Sequence, residues 1–157
     1  MLMNNDFDDI DRQLLALIQT DARRPLDQIA HIVGVSTATV QRRLRQLRES
    51  GVFEREVAIL NPKASGFPMS FIVMVELERE STQHLDAFKK VLRKEPQVQQ
   101  AYYVTGEADF ALICMARDMD DFELLTRRLF MDRPNVRRFR SSAVMQRTKV
   151  SLDLPIE

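Results

Sequence analysis

Four closely spaced arginines are the residues of this chain whose type and spacing most clearly predict a chemistry, the binding of a polyanion. Arg42, Arg43, Arg45 and Arg48 are followed by no acid until Glu49, so this short segment carries a local charge of +4. Guanidinium groups bind phosphate oxygens and the edges of guanine bases, which makes duplex DNA a partner that suits them. A solvent-facing, arginine-rich surface helix is the alternative interpretation.

The residues around these arginines predict an amphipathic helix from Ser36 to Arg48. Val40, Leu44 and Leu47 recur at helical spacing, Ser36 is a typical N-cap, and Gly51 is placed to end the helix. Small residues at the start would let the backbone approach DNA, and Arg42 and Arg45, opposite the apolar stripe, are expected to dominate the contact. The predicted DNA-binding residues are Ser36, Thr37, Ala38, Thr39, Gln41, Arg42, Arg43 and Arg45.

Two shorter amphipathic segments precede this helix. Apolar residues share one face of residues 8–21, and a second short helix is predicted from Pro25 to Val33, because proline is tolerated in a first helical turn. The Gly34-Val35 turn then leads into the arginine-rich helix. The pattern predicts a tri-helical helix-turn-helix domain whose third helix enters the major groove of DNA.

The composition limits the kinds of protein that the chain can be. It has 157 residues with a formal net charge of zero, so nucleic-acid binding must come from a local patch. No apolar run approaches the ~18 residues that span a bilayer, and the polar N-terminus has no signal-peptide pattern. The expected location is therefore cytoplasmic, without membrane contact, and the single cysteine, Cys114, is expected to pack in the core.

After Gly51 the apolar pattern changes to period 2, which predicts a strand from Val52 to Leu60. The turn-forming residues 61–68 follow, so a linker is placed at 52–68, between a DNA-binding domain at 1–51 and a second domain at 69–157. The exposed edge of such a strand is expected to pair with its counterpart in a second subunit.

The second half contains a weak internal repeat that predicts a ferredoxin-like βαββαβ domain with an antiparallel sheet. The chain is thus expected to be an α+β protein. Alternating apolar residues such as Phe71, Val73 and Val75 are expected to bury the open face of the sheet against another sheet, so a dimer or larger assembly is predicted. The predicted strands are Met69–Leu77, Val98–Thr105, Ala108–Ala116 and Val136–Lys149, and the predicted helices are Thr82–Arg93 and Asp120–Met131.

The connection between the two middle strands is the part of this domain that suggests a ligand site. Gly106 permits positive φ and close backbone approach, a neighbouring N–H can bind a carboxylate, and Asp109 can bind an ammonium group. That combination suits a free amino acid. A hairpin turn that contains glycine between acids, with no ligand, is the alternative interpretation.

An ordered set of motifs resembles the Lrp/AsnC family of feast/famine transcriptional regulators over nearly the whole chain. The resemblance implies a helix-turn-helix domain, a strand-bearing linker and an amino-acid-binding βαββαβ domain that forms dimers and commonly rings of four dimers. The motifs are Asp9–Leu15, Asp21–Arg24, Ile29-Ala30, Val33–Ser36, Arg43–Leu47, Gly51 with the two apolar residues after it, Ala58–Pro62 and Thr105–Phe110.

The same resemblance implies that effectors bind between dimers near the Gly106 hairpin. Glu107 stands where the family usually has Asp, and Pro25 stands where it usually has a Ser or Thr cap. The expected effector-binding residues are Thr105, Gly106, Glu107, Asp109, Ser141 and Ser142.

Other functional classes have little support in the sequence. His31, His84 and Cys114 lie in separate segments, so no catalytic residues, metal ligands or cofactor site are predicted. An RNA-binding sheet would need an aromatic and basic surface that the predicted strands lack. The remaining alternative to an amino-acid-responsive regulator is an architectural DNA-binding protein with an effector-free oligomerisation domain.

Overall fold

Three helices form the N-terminal part of the chain in a computed structural model that describes residues 7–78 and 81–156. They are α1 (Asp9–Thr20), α2 (Leu26–Val33) and α3 (Thr37–Glu49). Asp8 caps α1 by accepting the N–H of Asp11, and Gly34 ends α2 at a φ of 75°, a conformation that favours glycine. The apolar faces of the helices meet in one cluster, which confirms the tri-helical domain. Its fully buried members include Leu14, Ile29, Val40 and Leu44.

The second half of the chain forms a four-stranded antiparallel sheet in the order β2-β3-β1-β4. This order and the two helices confirm the predicted ferredoxin-like fold. The elements are β1 (Met69–Leu77), α4 (Thr82–Lys94), β2 (Val98–Tyr103), β3 (Phe110–Ala116), α5 (Met119–Thr126) with a π-helical turn (Arg127–Met131), and β4 (Val136–Ala143). The last strand is six residues shorter than the predicted Val136–Lys149.

The sequence analysis assigned the wrong residues of β1 to the open face of the sheet. Phe71, Val73 and Val75 are 2%, 0% and 0% exposed within the single chain, because α4 and α5 cover that face of β1. Phe71 stacks on Phe122 of α5 with ring centroids 3.5 Å apart. A period of two shows that one face is apolar, but it does not show which face the helices cover.

The face opposite the helices carries a second, smaller set of apolar residues. Alternation along β1 places Ile72 and Met74 there, and the strand register puts Ile113 beside Ile72 and Ala111 beside Met74. Ile72 is 44% exposed. Tyr102 of β2, which pairs with Ala111 of β3, is 50% exposed. This apolar sheet face, made of Ile72, Met74, Tyr102, Ala111 and Ile113, is therefore the surface that remains uncovered in one protomer.

The strand predicted from Val52 to Leu60 does not form within the single chain. The segment has no regular secondary structure and no ladder partner among the described residues, and Val57, Ile59 and Leu60 are 65%, 88% and 71% exposed. A strand is defined by a hydrogen-bonded neighbour, and one protomer supplies none here. Asn61 then begins a compact turn, in which its carbonyl accepts the N–H of Ser65 and its side chain accepts the N–H of Lys63.

The chain divides into two compact units. One contains the chain up to Ala58 together with the segment from Lys149 on, and the other runs from Ile59 to Thr148. The first division lies inside the linker that the sequence predicts at 52–68. The segment from Lys149 on was assigned by sequence to the second domain, 69–157, whereas here it groups with the first unit. Residues 1–6, 79–80 and 157 of the sequence-based domains lie outside the described residues.

Asp121 accepts several hydrogen bonds at one end of the sheet, and their strength depends on the pH. Its carboxylate, 8% exposed, accepts hydrogen bonds from the guanidinium and backbone N–H of Arg117 and from the Gln97 amide. The hydrogen bond from the Arg117 side chain, helped by the other two donors, lowers the pKa of Asp121 from 3.8 to about 2. Asp121 therefore stabilises the fold in its ionised form.

We expect Asp121→Asn to destabilise the protein at neutral pH by about 1 kcal/mol, a value reduced by solvent screening of the exposed Arg117. A lowered pKa stabilises the folded state fully above about pH 4, and this contribution disappears as the pH falls towards 2. The difference in unfolding free energy between the two proteins, measured in urea at each pH, should therefore shrink on acidification. A difference that stays constant down to pH 2 would contradict this role.

Candidate DNA interface and effector site

Helix α3 presents most of the predicted DNA-binding residues to solvent. Val40, Leu44 and Leu47 are buried and hold the helix on the three-helix cluster, so its opposite face is free. The exposed members of the predicted set are Ser36, Thr37, Ala38, Gln41, Arg42 and Arg45.

The N-terminus of α3 is fixed by its own hydroxyl groups. Ser36 Oγ accepts the backbone N–H of Thr39 at 3.2 Å and lies 2.9 Å from Thr39 Oγ1. Thr39 is half-buried. These two predicted contacts therefore orient the first turn of α3, and the side chain of Thr37 and the small Ala38 are the exposed groups beside them.

Arg43 is held by α1 rather than standing on the exposed face. Its Nη1 lies 2.7 Å from Asp8 Oδ2 and 3.2 Å from Asp11 Oδ1, and its side chain is only 25% exposed. The hydrogen bond to Asp8 raises the pKa of Arg43, while the Asp11 N–H and then Arg43 lower the pKa of Asp8. Arg43 thus connects α3 to the start of α1.

Arg48 is also engaged within its own unit. Its Nε donates to Glu56 at 2.9 Å, and its guanidinium lies 5.9 Å from the centre of the Phe53 ring. Of the four arginines, Arg42 and Arg45 therefore remain without an acidic partner among the described residues. Arg42 donates to Gln46 one turn along the helix, at 3.2 Å, and this contact orients its guanidinium along the exposed face.

The predicted ligand loop is a tight hairpin between β2 and β3. Gly106 has a φ of 121°, in the region that favours glycine, and the hairpin is closed by Val104 N–H donating to Asp109 O at 2.9 Å. Thr105, Gly106 and Glu107 are all exposed at its tip. The backbone N–H groups of Thr105, Gly106 and Glu107 donate to no described residue, so they can donate to an anionic ligand group.

Asp109 carries a structural hydrogen bond that the sequence did not reveal. Its Oδ2 accepts the backbone N–H of Leu77 at 2.6 Å, and its own N–H donates to Val75 O. These bonds lie where the register of β1 against β4 shifts, between Glu76 and Leu77. One carboxylate oxygen therefore fixes the end of β1, and the other is not used by a described residue.

Glu107 lies near Arg140, the last arginine of the basic segment of β4. Its Oε2 lies 3.5 Å from Arg140 Nη2, and Arg140 also lies 3.4 Å from Glu76. Glu76 also pairs with Arg138 at 2.7 Å, and this hydrogen bond lowers the pKa of Glu76. The hairpin tip and β4 therefore share a small charged cluster on the face opposite the helices.

Ser141 and Ser142 are exposed on β4 but on opposite faces. Ser142 pairs with Ile72 and so lies on the same face as Arg140, whereas Ser141 pairs with Val73 and faces the helix side. Of the predicted effector residues, Glu107 and Ser142 thus share a face. Arg140 belongs with them, and the sequence analysis did not include it among the site residues because its position beside the hairpin depends on the order of the strands in the sheet. In a ferredoxin-like sheet the first and last strands are neighbours, and this was the signal that could have found it.

In residues 7–78 and 81–156 there is no group of three or more His, Cys, Asp or Glu residues placed to hold a metal ion. None of the helices in that part of the chain is long and apolar enough to cross a membrane. Cys114 is fully buried in the second core, and burial raises the pKa of its thiol to about 12.

Comparisons with known proteins agree with this arrangement. Residues 7–48 match the family model of the AsnC-type helix-turn-helix domain, and residues 70–154 match that of the Lrp/AsnC ligand-binding domain. An uncharacterized helix-turn-helix transcriptional regulator of Sinorhizobium fredii is 43% identical over 97% of this chain and 90% of its own length. A DNA-binding transcriptional activator of Escherichia coli K12 is 30% identical over 96% of this chain and 99% of its own.

Solved structures of transcriptional regulators are also similar to this chain over nearly its whole length. A transcriptional regulator of Neisseria meningitidis, crystallised as a complex with L-methionine, is 26% identical to this chain and has a TM-score of 0.89. The similarity covers 95% of this chain and 96% of the other. Both units are therefore found together, in the same order, in a protein that binds a free amino acid.

Proposed function

The chain belongs to the Lrp/AsnC family of transcriptional regulators, and on that premise we propose that it binds specific sites in duplex DNA under the control of a free amino acid. The observation that carries the DNA-binding part is the unequal use of the arginines of α3. Arg43 and Arg48 are neutralised by acids of their own unit, while Arg42 and Arg45 are exposed and have no acidic partner in residues 7–78 and 81–156. Such a protein would act in the cytoplasm, where the DNA is.

The proposed DNA interface is the solvent-facing side of α3 and its first turn. Arg42 and Arg45 reach phosphates or guanine edges, Gln41 contacts a base edge, and Thr37 and Ala38 allow the backbone to approach. Ser36, Thr39 and Arg43 orient the helix, through the cap and through the ion pairs with α1, and do not themselves supply the main contacts.

The proposed assembly is a homodimer that brings two α3 helices onto one site. Two exposed apolar regions support it: the apolar sheet face around Ile72, and the segment around Ile59, which has no ladder partner in the part of the chain that the structure describes. Exposed apolar patches and unpaired strand edges of this kind are typical of surfaces that a second copy covers. Family resemblance extends the proposal to an octamer, a ring of four dimers.

The proposed effector site lies at the Gly106 hairpin and the neighbouring part of β4. The N–H groups at the hairpin tip and the Arg140 guanidinium suit a carboxylate, and the unused oxygen of Asp109 suits an ammonium group. Glu107 already pairs with Arg140, so a bound carboxylate would compete with Glu107 for the same cation. Thr105 and Ser142 provide hydroxyl groups nearby, and Ser141, on the other face of β4, is the least favoured of the predicted contacts.

We expect Asp109→Asn to weaken amino-acid binding about tenfold or more while leaving the fold intact. The amide oxygen of asparagine can still accept the Leu77 N–H, but the negative charge that attracts an ammonium group is lost. Calorimetry against each of the standard free L-amino acids would first identify the effector for the wild-type protein. Asp86→Asn, at an exposed acid of α4, removes the same charge elsewhere and should bind the effector normally.

The alternative of an architectural DNA-binding protein makes the opposite prediction for the same measurement. An effector that binds the folded state raises the melting temperature by mass action. If the wild-type protein binds duplex DNA but no amino acid produces heat or a shift in melting temperature, the effector part of the proposal fails. An unchanged effector affinity in Asp109→Asn would instead remove Asp109 from the site.

A further inference from the structure

The segment that follows β4 returns to the DNA-binding unit and docks there. The chain crosses between the two units at Ala58 and Ile59 and again at Thr148 and Lys149. The DNA-binding unit therefore has two covalent connections to the effector unit: the linker, and the segment from Lys149 to Ile156, which we call the strap. Ala143 ends β4 only six positions before Lys149.

The strap is held by a side chain that recognises its backbone. Gln19, near the end of α1, donates from Nε2 to Leu154 O at 2.9 Å and accepts the Leu154 N–H at Oε1, also at 2.9 Å. One amide group thus pairs with both polar groups of one peptide residue, as a neighbouring strand would. The Leu154 side chain is not used in this contact and is 66% exposed.

An apolar contact fixes the strap beside this pair. Ile156 is half-buried against the three-helix cluster, which Val52 and Phe53 of the linker also join. Leu152, two residues before Leu154, is 76% exposed. The strap therefore has one pair of polar contacts at Leu154 and one apolar contact at Ile156, and both are on the unit that carries α3.

The origin of the strap gives this docking a consequence for regulation. Arg140 and Ser142 of the proposed effector site lie on β4, the strand from which the strap continues. A ligand that moves or fixes the end of β4 changes the position at which the strap begins, while the other end of the strap is docked on α1. A ligand shifts an equilibrium between two states when its affinity for them differs. Here the two states are the protein with the strap docked and with the strap released, and the ligand discriminates between them if they position β4 differently.

We propose that the strap transmits the state of the effector site to the DNA-binding unit by docking on Gln19 and the three-helix cluster. This inference rests on the proposed function, because it concerns the regulation of that same effector site. It assigns Gln19 and Ile156 as positioning residues that touch neither DNA nor effector.

Docking itself is tested by hydrogen exchange at Leu154 in the full-length protein. Its N–H should exchange slowly in the wild type, and at least about tenfold faster in Gln19→Ala and in Ile156→Ser, because a docked amide exchanges only when the segment opens. Gln83→Ala changes an exposed amide of α4, and Leu152→Ser changes an exposed apolar side chain of the strap itself. Both variants should leave the Leu154 exchange rate unchanged. A wild-type Leu154 N–H that exchanges as fast as in an unfolded peptide would overturn the docking.

Transmission is tested by the ratio of DNA affinities with and without the amino acid that binds the wild type. The probe is a duplex selected from a random pool by the wild-type protein. In Gln19→Ala and Ile156→Ser the ratio should move to near one, while calorimetry shows effector affinity within about twofold of the wild type. A strap that only stabilises the helices would leave this ratio unchanged, and that result would overturn the proposal.

The two hypotheses fail in different ways. If the wild-type protein binds the selected duplex with the same affinity whatever amino acid is present, the effector part of the proposed function is wrong, and the transmitting role falls with it. If the wild type responds and both strap variants respond equally well, only the strap proposal is wrong. Leu154 exchange decides the docking in either case.

Discussion

Replacing both Arg42 and Arg45 with alanine is expected to remove specific DNA binding, and each single replacement should weaken it about tenfold or more. The two side chains are the exposed cations of α3 that have no acidic partner among the described residues. A guanidinium that contacts a phosphate or a guanine contributes about 1–3 kcal/mol, and a dimer uses each arginine twice. Fluorescence anisotropy on a labelled duplex, repeated over a range of salt concentrations, measures the effect.

The salt dependence separates two kinds of contact. If an arginine binds phosphate, its removal lowers the slope of log affinity against log salt by about one per site, whereas loss of a base contact reduces discrimination between sequences. Arg93→Ala removes the same charge from an exposed position on α4 and should leave DNA affinity close to the wild-type value. Wild-type affinity in the double variant would reject α3 as the DNA-binding helix.

Arg43→Ala should have a different effect. Because Arg43 pairs with Asp8 and Asp11, its loss is expected to lower the melting temperature of the DNA-binding unit. DNA affinity should fall only through the resulting change in the position of α3. Circular dichroism melts distinguish this variant from the Arg42 and Arg45 variants, which should melt like the wild type.

Ile72→Glu is expected to convert the proposed dimer into a stable monomer with DNA affinity reduced by about a hundredfold or more. Ile72 is 44% exposed at the centre of the apolar sheet face, so a carboxylate there meets water in the protomer. In a face-to-face dimer the same carboxylate would be buried without a partner, which is costly. A monomer contacts one half-site and loses the gain from simultaneous binding of two.

Light scattering after size-exclusion chromatography, at micromolar concentration, gives the mass of each species. Gln83→Glu introduces the same charge on an exposed part of α4 and should run as the wild type does. A wild-type protein that already runs as a monomer would refute the dimer. An Ile72→Glu variant that keeps the wild-type mass would show that the interface lies elsewhere.

Local sequence signals predicted the elements well because each signal acts over a few residues. The Ser36 cap and the Val40, Leu44 and Leu47 spacing located α3 to within a residue, and β1 was predicted with the bounds that the structure has. The direction in which β1 faces was a different matter. Phe71, Val73 and Val75 were assigned to the open face, and only the packing of α4 and α5 determines that they are covered within the chain.

The site residues were harder to predict because their roles depend on partners far along the sequence. A helical projection places Arg45 opposite the apolar stripe of α3 and Arg43 nearer its flank, but it does not show that Asp8 and Asp11 lie beside Arg43. Asp109 was expected to bind a ligand, and one of its oxygens is instead occupied by the Leu77 N–H, 32 residues away in sequence. Both contacts follow from the tertiary fold, which composition and spacing do not encode.

The exposed segment around Ile59 also has a consequence for the newly made chain. Val57, Ile59 and Leu60 are largely exposed in a lone protomer, and their backbone has no ladder partner among the described residues. In the proposed dimer a second copy covers this stretch, and before that copy binds, such a segment favours intermolecular β-aggregation and recognition by chaperones and proteases. Overproduction at low temperature and slow translation, which let copies meet before such stretches cluster, should therefore raise the yield of properly assembled protein.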